Sequence, residues 1–243
     1  MFGWTVIDSI KKHALSEYPR ESCGLVAGHR YHRCENVHED PENHFRISAQ
    51  QFGRVCIEHG DIQAVVHSHP DGPDYPTVAD QREQILTGFT WGVTVVSKGE
   101  VALDPWWWGD SVPIAPIDCR RFRHGIHDCF GLVRDWIRMN LGVVVPNVVR
   151  GYEFWRQGSN TLIENYKAAG FVIIDELEKP GDCAIFKIRS QVPNHCAVYI
   201  GDDTFLHHFP DRLPQTGIVG RWLKYIAKDG KRDGYMRFVG NVA

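Results

Sequence analysis

The stretch IQAVVHSHPDGPDYPTVADQREQILTG (62–88) decides the first half of the fold. IQAVVHSHP reads as a buried strand that runs straight into two histidines. TVADQREQILTG reads as a helix that starts after a proline-rich turn. Strand side chains alternate faces, so His67 and His69 point the same way. Asp80 follows His69 after ten intervening residues, in the first turn of the helix. Two imidazoles and one carboxylate, with a fourth position open, are the ligand set of a catalytic zinc ion. The same residues have a plain structural reading. Thr77 as N-cap and Asp80 three positions on form a capping box, and the histidines simply end a strand.

Working outward, Val6, Ile7, Ile10, Ala14 and Leu15 form a helical stripe that stops before Pro19. CGLVAG reads as a strand with glycine ends. SAQQFGRVCIEHG reads as a helix with Ser48 at its N-cap, and WGVTVVSKG and EVALDPW as strands. DPWWWGDSVPIAPID (104–118) has neither alternation nor a helical period and is rich in proline, which predicts a linker over 105–116. Its three tryptophans are expected to pack on a neighbouring surface. The expected domains are therefore 1–104 and 117–243. In the second, HDCFGLVRDWIRMNLG reads as a helix and YEFWRQGSNTLIENYKAAGF as a second helical region. FVIID, CAIFKI, HCAVYIG and TFLHHF are short strands separated by turn residues. The fold class expected is α/β followed by α+β.

The 243 residues carry a formal charge of -3, which gives no global field for holding nucleic acid or an anionic membrane. No run approaches the length of a membrane span, and the charged N-terminal stretch is not a signal peptide. Seven cysteines without a CxxC pair argue against a disulfide framework and a cysteine-type zinc ribbon, and for synthesis in a reducing place.

Upstream of the histidines lies PRESCGLVAG (19–28). Glu21, His67-x-His69 and Asp80 together resemble the JAMM (MPN-type) metallopeptidase signature, over about the first 104 residues. The resemblance implies a mixed sheet with flanking helices. It implies Zn2+ held by His67, His69 and Asp80, with Glu21 moving the proton of a water. Thr77 stands where that family usually has a serine whose hydroxyl helps hold the oxyanion.

A second constellation lies downstream. Cys129 falls where a helix begins, and the free N–H groups there favour a thiolate. NHCAVYIGDDTFLHH (194–208) brings a histidine on a strand, a hairpin turn and two more histidines. Asp128-Cys129-x-Gly131-Leu132-Val133, Pro180-Gly181-Asp182 and His195-x-Ala197-x-Tyr199-x-Gly201 resemble the NlpC-type cysteine peptidases, papain-like enzymes that cut peptidoglycan stem peptides. The resemblance implies Cys129 as nucleophile, His195 as base and His207 as its orienting partner. A simple hairpin would put His208 on the face of His195, whereas a bulge would put His207 there. The chain departs from the family pattern at Ile117, where a tyrosine is common, and at Phe130, where a serine is common. Cys23 and Cys196 read as small buried groups, with Cys196 pointing away from His195.

The pair of domains, in this order and length, resembles the tail assembly protein K family of long-tailed phages related to lambda. That implies other tail-tip proteins and peptidoglycan stem peptides as partners. It implies the host cytoplasm during assembly as the location, and then the virion tail tip. A structural module of the tail tip with weak or no catalysis is the competing expectation. A cellular enzyme trimming ubiquitin-like tails is a third.

Overall fold

A strand-helix-strand crossover organises the N-terminal unit. β3 (Ile62–Pro70) leads through α3 (Val78–Thr87) to β4 (Trp91–Ser97), which lies parallel to it. The computed structural model describes residues 1–230 and 232–240, and the chain divides into units Met1–Pro113 and Ile114–Ala243. The first unit opens with α1 (Trp4–Glu17), β1 (Cys23–Ala27), β2 (Arg30–Cys34) and α2 (Ala49–His59), and closes with β5 (Glu100–Trp108). The sheet order is β2-β1-β3-β4-β5. Ser48 caps α2 as expected, its side chain accepting from Gln51 N. Alternation along the strands separates two faces. Val26, Ala64 and Val66 pack under Val6 and Ile10 of α1. Leu25, Val65 and Trp91 line a cavity on the other side.

The expected linker over 105–116 begins too early. Trp106, Trp107 and Trp108 belong to β5 and pair with Val93, Gly92 and Trp91. The register shifts so that Asp104 and Pro105 lie between the pairs Val95–Leu103 and Val93–Trp106, across from Thr94 alone. This is a bulge on an edge strand, where a residue without an N–H is tolerated. Trp107 then covers Gly92, where a Cβ would lie 2.5 Å from the indole, and meets Phe2 of the α1 side. Trp108 turns to the other face, against Trp91 and His67. Alternation was invisible in sequence because tryptophan fills both faces.

In the second unit α4 (Cys129–Leu141) is followed by a 3-10 turn (Phe154–Gln157) and α5 (Thr161–Asn165). Gly158, at φ 75°, ends the turn, so the expected second helical region is two short pieces. The strands are β6 (Phe171–Ile174), β7 (Cys183–Phe186), β8 (His195–Gly201), β9 (Thr204–His207) and β10 (Gln215–Ile218). Then come α6 (Val219–Trp222), the short pair β11 (Lys228–Asp229) and β12 (Arg232–Asp233), and β13 (Tyr235–Phe238). The main sheet runs β10-β9-β8-β7-β13-β6, antiparallel throughout. Phe130, Val133 and Ile137 of α4 pack on Cys183, Ile185, Cys196 and Val198. The opposite face holds Ala184, Phe186, Ala197 and Phe205. The architecture is a mixed α/β unit followed by an α+β unit.

Candidate functional site

In the first unit, three polar side chains converge where the end of β3 meets the start of α3. Cys23 pairs with His67, and Ser68 N donates to Ser22 O at 3.0 Å, so the same register brings Glu21 opposite His69. The Nε2 atoms of His67 and His69 lie 2.9 Å apart, and each is 3.4 Å from an Asp80 oxygen. One donor atom from each of the three residues falls within 4.8 Å of the others, and all three side chains are buried. His69 Nδ1 donates to Pro73 O at 2.8 Å, which leaves the Nε2 lone pair facing inward. Phe45 stacks on the His67 ring with centroids 4.7 Å apart and fixes its plane. This donor set fits a tetrahedral zinc ion with one open position.

The capping box is also present, so both readings of Thr77 and Asp80 hold at once. Thr77 Oγ1 donates to Asp80 Oδ2 at 2.7 Å, and Thr77 N donates to the same oxygen at 2.7 Å. The hydroxyl that the sequence offered to an oxyanion is thus engaged in holding the Asp80 carboxylate. Burial works against ionised Asp80, but His67 and His69 hold it well below the usual carboxylate range. Burial pushes the Glu21 carboxyl up to about 8, against the charge of His69. Glu21, Thr77 and Asp80 line a cavity of about 420 Å³ with Phe45, Phe52 and Trp91.

In the second unit Cys129 is the first residue of α4. Asp128 caps the helix, accepting from Gly131 N at 2.9 Å and from Gly125 N at 2.8 Å. Arg150 grips the same carboxylate with two hydrogen bonds of 2.7 Å. Gly131 is required by close approach, since a Cβ there would lie 1.6 Å from Ile126 O. Cys196 and His195 beside it hold the Cys129 thiol well below its ordinary pKa, against burial and the charge of Asp128. Cys196 is pushed well up by Cys129 beside it and by burial. Its side chain does alternate away from His195, as expected, but that face is the one α4 covers. The contact with Cys129 was not foreseen, because only the packing of α4 on β8 creates it.

Which of His207 and His208 shares the face of His195 is decided in the hairpin. Gly201 pairs with Thr204 across Asp202 and Asp203, whose φ values of 48° and 53° make a two-residue turn. The register then shifts between Tyr199 and Gly201 and leaves Ile200 unpaired. Beyond this bulge Val198 pairs with Leu206, so His207 falls on the face of His195. The two rings meet edge to face with centroids 5.3 Å apart. His195 Nε2 and His207 Nδ1 are buried with no hydrogen-bond partner among the described residues. Phe209 stacks on His195 at 4.1 Å and restricts its rotation. His208 falls on the opposite face of the strand, its Nε2 donating to Arg212 O at 3.0 Å. Burial lowers the pKa of His207 to about 3 and that of His208 to about 4. Cys129, His195 and His208 line a cavity of about 100 Å³ with Phe122, Trp155 and Asn194. Ile117 contributes nothing to that lining, and Phe130 lies in the core beneath it.

Residues 5–109 match the family described as prokaryotic homologs of the JAB domain. Residues 105–223 match the NlpC/P60 family. The chain is 29% identical over 216 residues to the tail tip assembly protein K of Escherichia phage N15, covering 86% of each chain. It is 34% identical over 161 residues to the tail tip assembly protein K of Escherichia phage lambda. That match takes in 63% of this chain and 73% of the relative.

Proposed function

The chain belongs to the tail tip assembly protein K family, and from that premise we propose that it is a two-site peptidase of a phage tail tip. The C-terminal unit cuts peptidoglycan stem peptides. The observation that carries this is geometric: Cys129 opens α4 and lines one cavity with His195, whose ring meets that of His207 edge to face. Cys129 Sγ attacks the carbonyl carbon of the scissile amide, and the Cys129 N–H at the helix start supports the oxyanion. His195 gives its proton to the departing amine as the C–N bond breaks. Water, deprotonated by His195, then releases the acyl group, and His207 keeps the imidazole in register.

The N-terminal unit is a zinc-dependent isopeptidase. His67, His69 and Asp80 would hold the ion, which when bound supplies Lewis acidity. Glu21, opposite His69, takes a proton and returns it to the leaving amine. A structural reading of this half has its own support, because the Thr77 hydroxyl is engaged with Asp80. The partners are other tail-tip proteins. The protein works in the host cytoplasm during assembly and at the virion tail tip afterwards. Among the described residues, no helix is long and apolar enough to cross a membrane.

The test is mass spectrometry of soluble muropeptides incubated with the protein, Cys129→Ala and Glu21→Ala under reducing conditions. New stem-peptide fragments that vanish only with Cys129→Ala support the reading. No fragments from the folded protein would leave the structural role in its place.

A further inference from the structure

Asp128 presents an electrostatic problem to its neighbour. It is 2% exposed and sits one residue before the nucleophile, so its charge opposes a thiolate at Cys129. Yet the cap it provides orders the helix start that favours that thiolate. Arg150, also 2% exposed, reaches the carboxylate with Nε to Oδ2 and Nη2 to Oδ1, both at 2.7 Å. This is the planar fork-to-fork pairing that lysine cannot reproduce. Arg150 is fixed in turn by Asn147 Oδ1 at 3.0 Å and by the carbonyl of Val148. Its own carbonyl accepts from His124 Nε2 at 3.0 Å, and His124 Nδ1 stands 3.9 Å from Asp128.

We propose that Arg150 is a positioning residue for the nucleophile: it clamps Asp128 as the cap of α4 and cancels the carboxylate's charge beside Cys129. The groups facing Cys129 are then His195 and Cys196 from β8, the paired Asp128 and Arg150, and the N-terminus of α4. Among the described residues, the Asp128 charge works against the thiolate, and Arg150, with His124 3.9 Å from the same carboxylate, is placed to neutralise it.

The experiment is the pH dependence of Cys129 alkylation by iodoacetamide, read peptide by peptide by mass spectrometry so that Cys119 and Cys56 do not contribute. It needs no peptidase substrate, so its outcome is separate from that of the proposed activity. Arg150→Met leaves Asp128 uncompensated and raises the midpoint by about one pH unit, about tenfold less thiolate at pH values below both midpoints. Asp128→Asn keeps a capping acceptor but leaves Arg150 positive, and lowers the midpoint. The double variant returns to within about threefold of the parent at fixed pH, on the order of half a pH unit. A purely structural clamp moves thermal stability in all three variants and the midpoint in none, or in one direction only; either result overturns the proposal. If Arg150→Met does not fold, the sign of the Asp128→Asn shift decides alone: a midpoint that rises or stays put overturns it.

Discussion

Gly131→Ala sets two effects of opposite sign against each other. Inside an exposed helix the change adds about 1 kcal/mol of stability, because alanine is the better helix former. At position 131 the added Cβ would lie 1.6 Å from Ile126 O, where real Cβ atoms keep at least 3.0 Å. The backbone must therefore open by about the difference, 1.4 Å. That displacement stretches the 2.9 Å bond from Gly131 N to Asp128 and strains the 2.8 Å bond from Gly125 N. Losing a cap costs about 1 kcal/mol. The steric insertion costs about 1–3 kcal/mol. Leaving the buried carboxylate short of a donor adds about 1 kcal/mol more. Set against the propensity gain, α4 loses about 3 kcal/mol, so its amides should exchange about 100-fold faster. The assay is hydrogen exchange by mass spectrometry on peptides spanning Cys129–Leu141. Exchange as slow as the parent's, or slower, would refute the reasoning, because propensity would then outweigh the close approach.

His207→Ala should lower kcat/KM on stem peptides by roughly 100-fold, since a base that loses its orienting partner loses most of its use; His208→Ala should cost less than tenfold. Equal losses in steady-state assays would contradict the register drawn from the Ile200 bulge. The purified protein should take up one zinc ion by elemental mass spectrometry, and Asp80→Asn and His69→Ala should not. With free zinc at about 100 times Kd, the N-terminal unit gains about 2.7 kcal/mol, and zinc uptake unchanged by either substitution would remove the three-ligand site. His13, buried against Tyr31 Oη at 2.9 Å, has a pKa lowered to about 4 by burial and by Arg33. The unfolded chain takes up this proton near pH 6.5, before the folded chain does, so stability falls as pH drops from about 6.5 to about 4. His13→Gln should flatten that part of a urea-midpoint against pH curve; an unchanged slope would assign the loss to other groups.

The sequence was most legible where alternation and capping chemistry coincide. IQAVVHSHP announces a strand, and its period of two is what puts His67 and His69 on one side. Thr77 and Asp80 announce the start of α3 through the same carboxylate that completes the donor set. β2 (RYHRC) was missed because its half-exposed, cationic residues lack an apolar alternation. β5 was read too short because a bulge at Asp104 and Pro105 interrupts it, and three tryptophans hide which face each one serves. Arg150 and Cys196 carry no local signal at all. Arg150 lies 22 positions from Asp128, and Cys196 meets Cys129 only when α4 packs on β8. Contacts between elements distant in sequence are set by tertiary packing, which neither propensity nor period encodes.

Both units bring an anionic group to the first turn of a helix and set it against histidines at the end of a strand, but they manage the field there differently. In the first, the capping carboxylate is itself the proposed ligand: Asp80 takes hydrogen bonds from Thr77 and faces His67 and His69, so cap and candidate ligand are one charge. In the second, cap and proposed nucleophile are adjacent residues, Asp128 and Cys129, and two anions would compete for the same helix terminus. An uncompensated carboxylate beside a thiolate costs about one pH unit, about 1.4 kcal/mol. That is enough to cancel what a helix terminus offers a thiolate. On the proposed role of Cys129, the buried arginine on Asp128 is what makes the Asp-Cys arrangement compatible with a thiolate. The first unit, where one carboxylate does both jobs, has no corresponding need.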